Sequence, residues 1–252
     1  MDRMIYTMMN TLDSSRTQHT ISANNLANMN VPGFRRDLPT FEGSAQLQDN
    51  TSFESRLFQL ESERSSFSND TGFMDQTGDP FDVAIMEDGF FYVREGNGEV
   101  GLTRRGDLAT DAQGRLVNGA NELMLNAGFE PIVVPPYRSI QITEVGQVII
   151  EPIGGGEGEK IEVGLLATVV PDGEQLSKSE DALIRRVDGT VPEPNQMAIV
   201  RQGVLEGSNV NATEELLATI DIQRGFEMNM KMITTAKELD EAGASLMRPP
   251  GE

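Results

Sequence analysis

The sequence predicts a mainly β central domain, barrel- or sandwich-like, inserted between N- and C-terminal α-helices that pair as a coiled-coil-like unit. Three observations carry that prediction: a run at 2–28 with no Gly or Pro, a middle of short apolar runs broken by turn signals, and a long run with helical periodicity near the C-terminus. With 252 residues, 38% apolar and a further 25 Gly, the chain is long and apolar enough for one or two compact domains. The expected domains are 1–34 with 206–252 as a discontinuous helical domain, 35–73 as an extended linker or arm, and 74–205 as the β domain.

In the first helix, Ile5, Met8, Leu12, Ser15, His19, Ser22 and Leu26 alternate spacings of three and four. That is the seam of a helix packed along another helix, weak at its centre where Ser15, His19 and Ser22 fall. Pro32-Gly33 ends the run. Residues 35–73 are polar and dotted with Phe41, Phe53, Phe58, Phe67 and Phe73. These rings read equally as docking points of an arm or as satellites of the core.

From 74 the pattern turns to β. Phe81 to Ile85 alternates, Phe91-Tyr92-Val93 follows the Asp88-Gly89 turn, and Asn97-Gly98, Asn118-Gly119 and Asp188-Gly189 are hairpin signals. Short strands are expected at 131–135, 140–142, 148–150, 161–163 and 165–170, with 154–158 a Gly-rich loop.

The second helix is expected over 212–247, with Asn211 as N-cap, Glu214 three residues on, and Pro249-Pro250 beyond its end. It carries two apolar stripes. Leu217, Ile220, Met228, Met232, Leu239, Ala242 and Leu246 form one; Ile222, Phe226, Ile233, Ala236, Gly243 and Met247 form the other. A helix on a protein surface needs one stripe. Two call for cover on both sides, by the first helix and either a neighbouring molecule or a closed core.

Composition excludes several chemistries. With 20 Lys+Arg against 40 Asp+Glu the net charge is −20, which argues against nucleic acid and anionic membranes as partners. There is no cysteine, so disulfides, thiolate metal sites and thiol nucleophiles are excluded. His19 is the one histidine, no G-x-S-x-G elbow supplies a serine, and Glu157 and Glu159 stand where a phosphate loop needs Lys and Ser or Thr. Acidic pairs such as Asp79/Asp82 and Glu87/Asp88 are what 40 carboxylates give by chance. We therefore expect no catalytic, cofactor-binding or metal-binding residues, no small-molecule substrate and no enzyme. The N-terminus lacks the basic-then-apolar pattern of a signal peptide, and no window reaches the length of a membrane helix, so no membrane insertion is expected.

Three segments together resemble one family. Ser22-Ala23-Asn24-Asn25-Leu26-Ala27-Asn28 with Pro32-Gly33-Phe34-Arg35 is similar to the N-terminal signature of the axial proteins of the bacterial flagellum, its rod and hook subunits. Gly78 to Ile85, with Asp88-Gly89-Phe90-Phe91 and Thr103-Arg104-Arg105-Gly106-Asp107, resembles the start of their central domain. Leu205-Glu206-Gly207-Ser208-Asn209-Val210-Asn211 resembles the signature before their last helix. Within the family, Phe226-Glu227-Met228-Asn229-Met230-Lys231 and the opening residues look like the proximal type of rod subunit; the distal type is the alternative.

The resemblance implies a structural subunit of the basal-body rod, located across the periplasm and exported by the flagellar type III apparatus without a cleaved signal. Other rod subunits and that export apparatus would be its partners. It places protein contacts on Asn24, Asn25, Leu26, Asn28, Pro32, Gly33, Phe34, Leu205, Gly207, Ser208, Asn209, Val210, Leu217, Phe226, Met228, Met232 and Leu239. A reading from a different class, a secreted β-domain binding module whose helical ends dimerise, stays open at this point.

Overall fold

The computed structural model describes residues 2–39, 41–48, 55–61, 66–96, 98–154, 156, 158–171, 173, 175–179 and 181–246, with side chains at 2–7, 41–48, 55–61 and 246 left aside. Two long helices flank a mostly β middle: α1, Asp2–Ala27, and α2, Ala212–Leu246. The chain divides into two compact units, one of 1–27, 37–63 and 211–252, the other of 28–36 and 64–210.

In the helical unit α1 packs along α2. The start of α2 is set as its residues dictate: the Thr213 N–H donates to Asn211 Oδ1 at 3.0 Å, and the Asn211 amide donates to Glu214 Oε1 at 3.1 Å. Glu214 and Glu215 lie in the first turn, where the helix dipole favours negative charge. The buried seam of α1 runs through Met8, Ser22 and Asn25. This corrects the expected seam at two places. His19 is exposed and Leu26 is half-buried, while Gln18 is half-buried beside the first and Asn25 is buried beside the second. The helix advances 3.6 residues per turn, so the contact line drifts by one position from a strict 3.5 repeat. A hairpin of Phe41–Gln48 and Ser55–Glu61 belongs to this unit. The segment expected as an extended arm therefore contains paired strands, with Phe53 outside the described residues.

In the β unit the largest sheet orders Leu176–Lys178, Ile184–Arg186, Val100–Thr103, Phe90–Arg94, Leu123–Met124, Leu116–Asn118 and Leu108–Thr110, with Thr168–Val169 also pairing Phe90–Arg94. The neighbouring strands are antiparallel. Among the described residues the sheet is open and not a closed barrel. A second sheet joins Tyr137–Ile142, Gln147–Pro152 and Ile161–Leu165, and Val83–Ile85 pairs with Val200–Gln202.

The strand Phe90–Arg94 explains how the cores form. Phe91 and Val93 point into one buried cluster with Ile85, Leu116 and Ile150, while Phe90 and Tyr92 point into a second with Leu125, Ala167 and Ile184. Both faces are covered, so the strand reads as a continuous apolar run rather than an alternation. The 131–135 segment is not a strand. It makes isolated bridges at Pro131 and Val133, because its prolines lack the N–H that a ladder needs. Of the aromatic residues before the β domain, Phe67 meets Phe90 edge-on at 6.5 Å as a core satellite, whereas Phe73 is exposed. Of the expected turns, Asn97 and two residues of the 154–158 loop, Gly155 and Glu157, lie outside the described residues, as do Met247 and Pro249-Pro250.

Candidate assembly interface

Two groups of side chains bear on function: a polar lock at each end of the chain, and an apolar surface on α2. Near the end of α1, Asn25 is fully buried. Its amide donates to the Asp37 carbonyl at 3.0 Å and to Glu215 Oε1 at 3.2 Å, and its Oδ1 accepts from the Asp37 N–H at 2.8 Å. Asn24 donates to Asp37 Oδ2 at 2.6 Å. A single asparagine thus ties the exit of α1 to the first turn of α2. Asn suits this because its one side chain both donates and accepts.

In the β unit, the turn after α1 meets the segment before α2. Gly33 has φ +66° and donates its N–H to the Glu206 carbonyl at 2.8 Å. A Cβ there would lie 2.4 Å from the Arg104 carbonyl carbon, so only glycine fits. The buried Glu206 carboxylate accepts from Arg35 Nη1 at 3.1 Å, Arg104 Nε at 2.8 Å and the Gly72 N–H at 2.9 Å. Burial pushes the Arg35 guanidinium down to about 10, with Glu206 opposing the shift. Arg104 also donates to the carbonyls of Glu87 and Gly89. Phe34 is buried beneath the Lys178 ammonium, 3.6 Å from its ring centroid, and Lys178 donates to the Arg35 carbonyl at 2.8 Å. Asn209 closes the join: its Oδ1 accepts from the Arg36 N–H at 2.6 Å and its amide donates to the carbonyls of Ser68 and Asp70. Gly207 donates to the Phe73 carbonyl at 2.7 Å, and the Val210 N–H donates to Ser208 Oγ at 3.2 Å. Asn28, Pro32, Leu205 and Val210 are half-buried around this join.

The candidate residues therefore fall into two sets. Asn24, Asn25, Gly33, Phe34, Gly207, Ser208 and Asn209 are engaged inside their own chain. Leu217, Met228 and Leu239 stand 58%, 64% and 59% exposed along one side of α2, and Met232 and Ile220 are exposed with them. The other stripe turns inward at Ile222, Ile233, Ala236 and Gly243. Phe226, grouped with that inward stripe by sequence, is 48% exposed instead. It lines a groove of about 840 Å³ between α1 and α2 with Met9, Leu12, His19 and Ile222. Sequence reading missed Asp37, Arg104, Glu206 and Glu215 as bonding partners. The only signal for the pair Arg104 and Glu206 was their place inside two motif segments.

No helix among the described residues is long and apolar enough to cross a membrane, and no described cluster of His, Asp or Glu could hold a metal ion.

The family model described as "Flagella basal body rod protein" matches residues 5–35, "Flagellar hook protein FlgE/F/G D1 domain" matches 84–150, and "Flagellar basal body rod FlgEFG protein C-terminal" matches 201–246. The flagellar basal-body rod protein FlgF of Escherichia coli K12 is 32% identical over 96% of both chains. FlgF of Salmonella typhimurium LT2 is 32% identical over 94% of this chain and 95% of its own. The basal-body rod protein FlgG of Bacillus subtilis 168 is 29% identical over 98% of this chain and 99% of its own.

Proposed function

The chain belongs to the flagellar basal-body rod protein family, and from that premise we propose that it is a rod subunit of the proximal type, which stacks through its terminal helices and transmits torque. The observation that carries this reading is the exposed side of α2. Leu217, Ile220, Met228, Met232 and Leu239 stand 43–64% exposed there, and covering what remains contributes roughly 1 kcal/mol each, about half of what full burial of such a side chain gives. A face of this kind on a 35-residue helix is an interaction surface awaiting a partner.

The partners in this reading are neighbouring axial subunits, and the flagellar export apparatus carries the chain to a rod that spans the periplasm without a cleaved signal. It catalyses nothing. The proximal assignment draws on the FlgF relatives at 31–32% identity. Complementation of a strain lacking FlgF, set beside one lacking FlgG, separates it from the distal type.

Phe226→Asp tests the contact surface. The variant is expected to abolish motility and to be missing from purified basal bodies, while the thermal transition of the β unit is unchanged. Normal rods in that strain would overturn the reading.

A further inference from the structure

Thirteen methionines supply all the sulfur of a chain with no Cys and no Trp, so their thioethers are its most readily oxidised groups. Eight of the 13 fall in 1–27 and 212–252, and three stand within five residues of α2, at Met228, Met230 and Met232. Burial divides the described methionines sharply. Met8 and Met124 are buried, whereas Met9, Met228, Met230 and Met232 are exposed in the helical unit, and Met29 and Met197 in the β unit.

Met228 and Met232 lie one turn apart in the stripe that holds Leu217 and Leu239, and Met230 follows Phe226 by one turn. Apolar area alone does not call for sulfur here, because Leu fills the same volume and already serves in the stripe. What Met adds is chemistry. Its sulfur takes one oxygen atom from a two-electron oxidant, and the side chain becomes polar. With hydrogen peroxide the O–O bond breaks, an S–O bond forms and water leaves; the sulfur gives up two electrons and the peroxide takes them. The return step needs a methionine sulfoxide reductase, since the chain has no thiol of its own.

We infer that Met228, Met230 and Met232 form an oxidation site that gates assembly: a peroxide-class oxidant converts them in the free subunit, and the sulfoxides keep that subunit out of the rod. A sulfoxide oxygen is a strong acceptor, and an apolar contact closing over it removes its water and returns no donor. Closed over reduced sulfur, the same contact shields it, so subunits already in place are spared. The gate rests on the rod reading; the selective oxidation does not.

The purified full-length chain is treated with hydrogen peroxide, and peptide mass spectrometry follows the added oxygen. Met228, Met230 and Met232 are expected to oxidise at least about tenfold faster than Met8 and Met124. Uniform rates would overturn the site. In cells lacking their own copy, the parent chain or Met228→Leu/Met230→Leu/Met232→Leu is induced under sublethal peroxide, and basal bodies are assayed for it, each against its own unstressed level. Peroxide is expected to lower incorporation of the parent at least about fivefold more than that of the Leu variant, with Met197→Leu as sensitive as the parent. Met228→Gln/Met232→Gln sets a fixed polar acceptor at the same places and keeps helix propensity. It is expected to incorporate poorly without peroxide, with circular dichroism matching the parent. Equal sensitivity of parent and Leu variant, protection by Met197→Leu, or normal incorporation of the Gln variant would overturn the inference alone. A parent chain missing from basal bodies of unstressed cells, with oxidation rates as expected, would overturn the rod reading and the gate with it.

Discussion

Glu206 holds a position that few residues could take. Two guanidinium groups and a backbone N–H converge on one buried carboxylate, and removing one member of such a set leaves charge uncompensated. Glu206→Gln is expected to destabilise the β unit by about 3–5 kcal/mol, read from denaturant unfolding. A change under about 1 kcal/mol would show that the two arginines are held by their carbonyl partners alone. Glu122 offers a residue-scale pH dependence. Burial raises its pKa above the ordinary 4.5, against the hydrogen bond from Asn118. The folded state therefore holds this proton more tightly than the unfolded chain. Its stabilising contribution is fully present below pH 4.5 and is lost as pH rises through the raised value. Relative to Glu122→Gln, the parent chain is expected to lose stability over that rise, measured by thermal melts at a series of pH values; parallel curves would contradict it.

At the scale of the element, the two helices are joined by a polar contact where a coiled coil would place an apolar one. Asn25 bonds Asp37 and Glu215, so the seam between α1 and α2 is fixed in register at one end by hydrogen bonds. Asn25→Asp sets a carboxylate against the Glu215 carboxylate and the Asp37 carbonyl in a buried place. It is expected to cost about 2–4 kcal/mol and to speed hydrogen exchange in the last turns of α1, with the β unit unaffected. Unchanged exchange in α1 would remove Asn25 from this role. Both helices were legible in sequence, because their ends carry explicit signals: Asn211 and Glu214 at the start of α2, Pro32-Gly33 after α1. The two-stripe pattern on α2 was legible too, since apolar periodicity survives whether or not the partner is present. The inward position of Asn25 was not legible. Burial of an amide depends on partners 12 and 190 residues away, and no local pattern encodes those. The same holds for Arg104 with Glu206, separated by 102 residues. Strand 131–135 failed for a local reason, in that its apolar run outweighed the two prolines that disqualify it.

For the whole molecule, negative charge is spread over both the middle and the last helix, and only the first helix is balanced. Residues 1–27 carry two basic and two acidic side chains, and 212–252 carry four against eight, so most of the net −20 lies on the stretch between. Residues 212–252, at −4, are about as acidic per residue as the middle, so apolar burial on α2 has to exceed a like-charge repulsion when neighbours meet. Assembly would then bury the exposed stripe of α2 and leave the β unit as it is in the single chain. The absence of native cysteine allows this to be measured directly. Met228→Cys places one thiol at the most exposed point of the stripe, and maleimide labelling compares the free subunit with purified basal bodies. Rapid labelling of the free chain and strong protection in the rod are expected. Equal labelling in both would contradict the claim that α2 is the surface through which the subunit assembles.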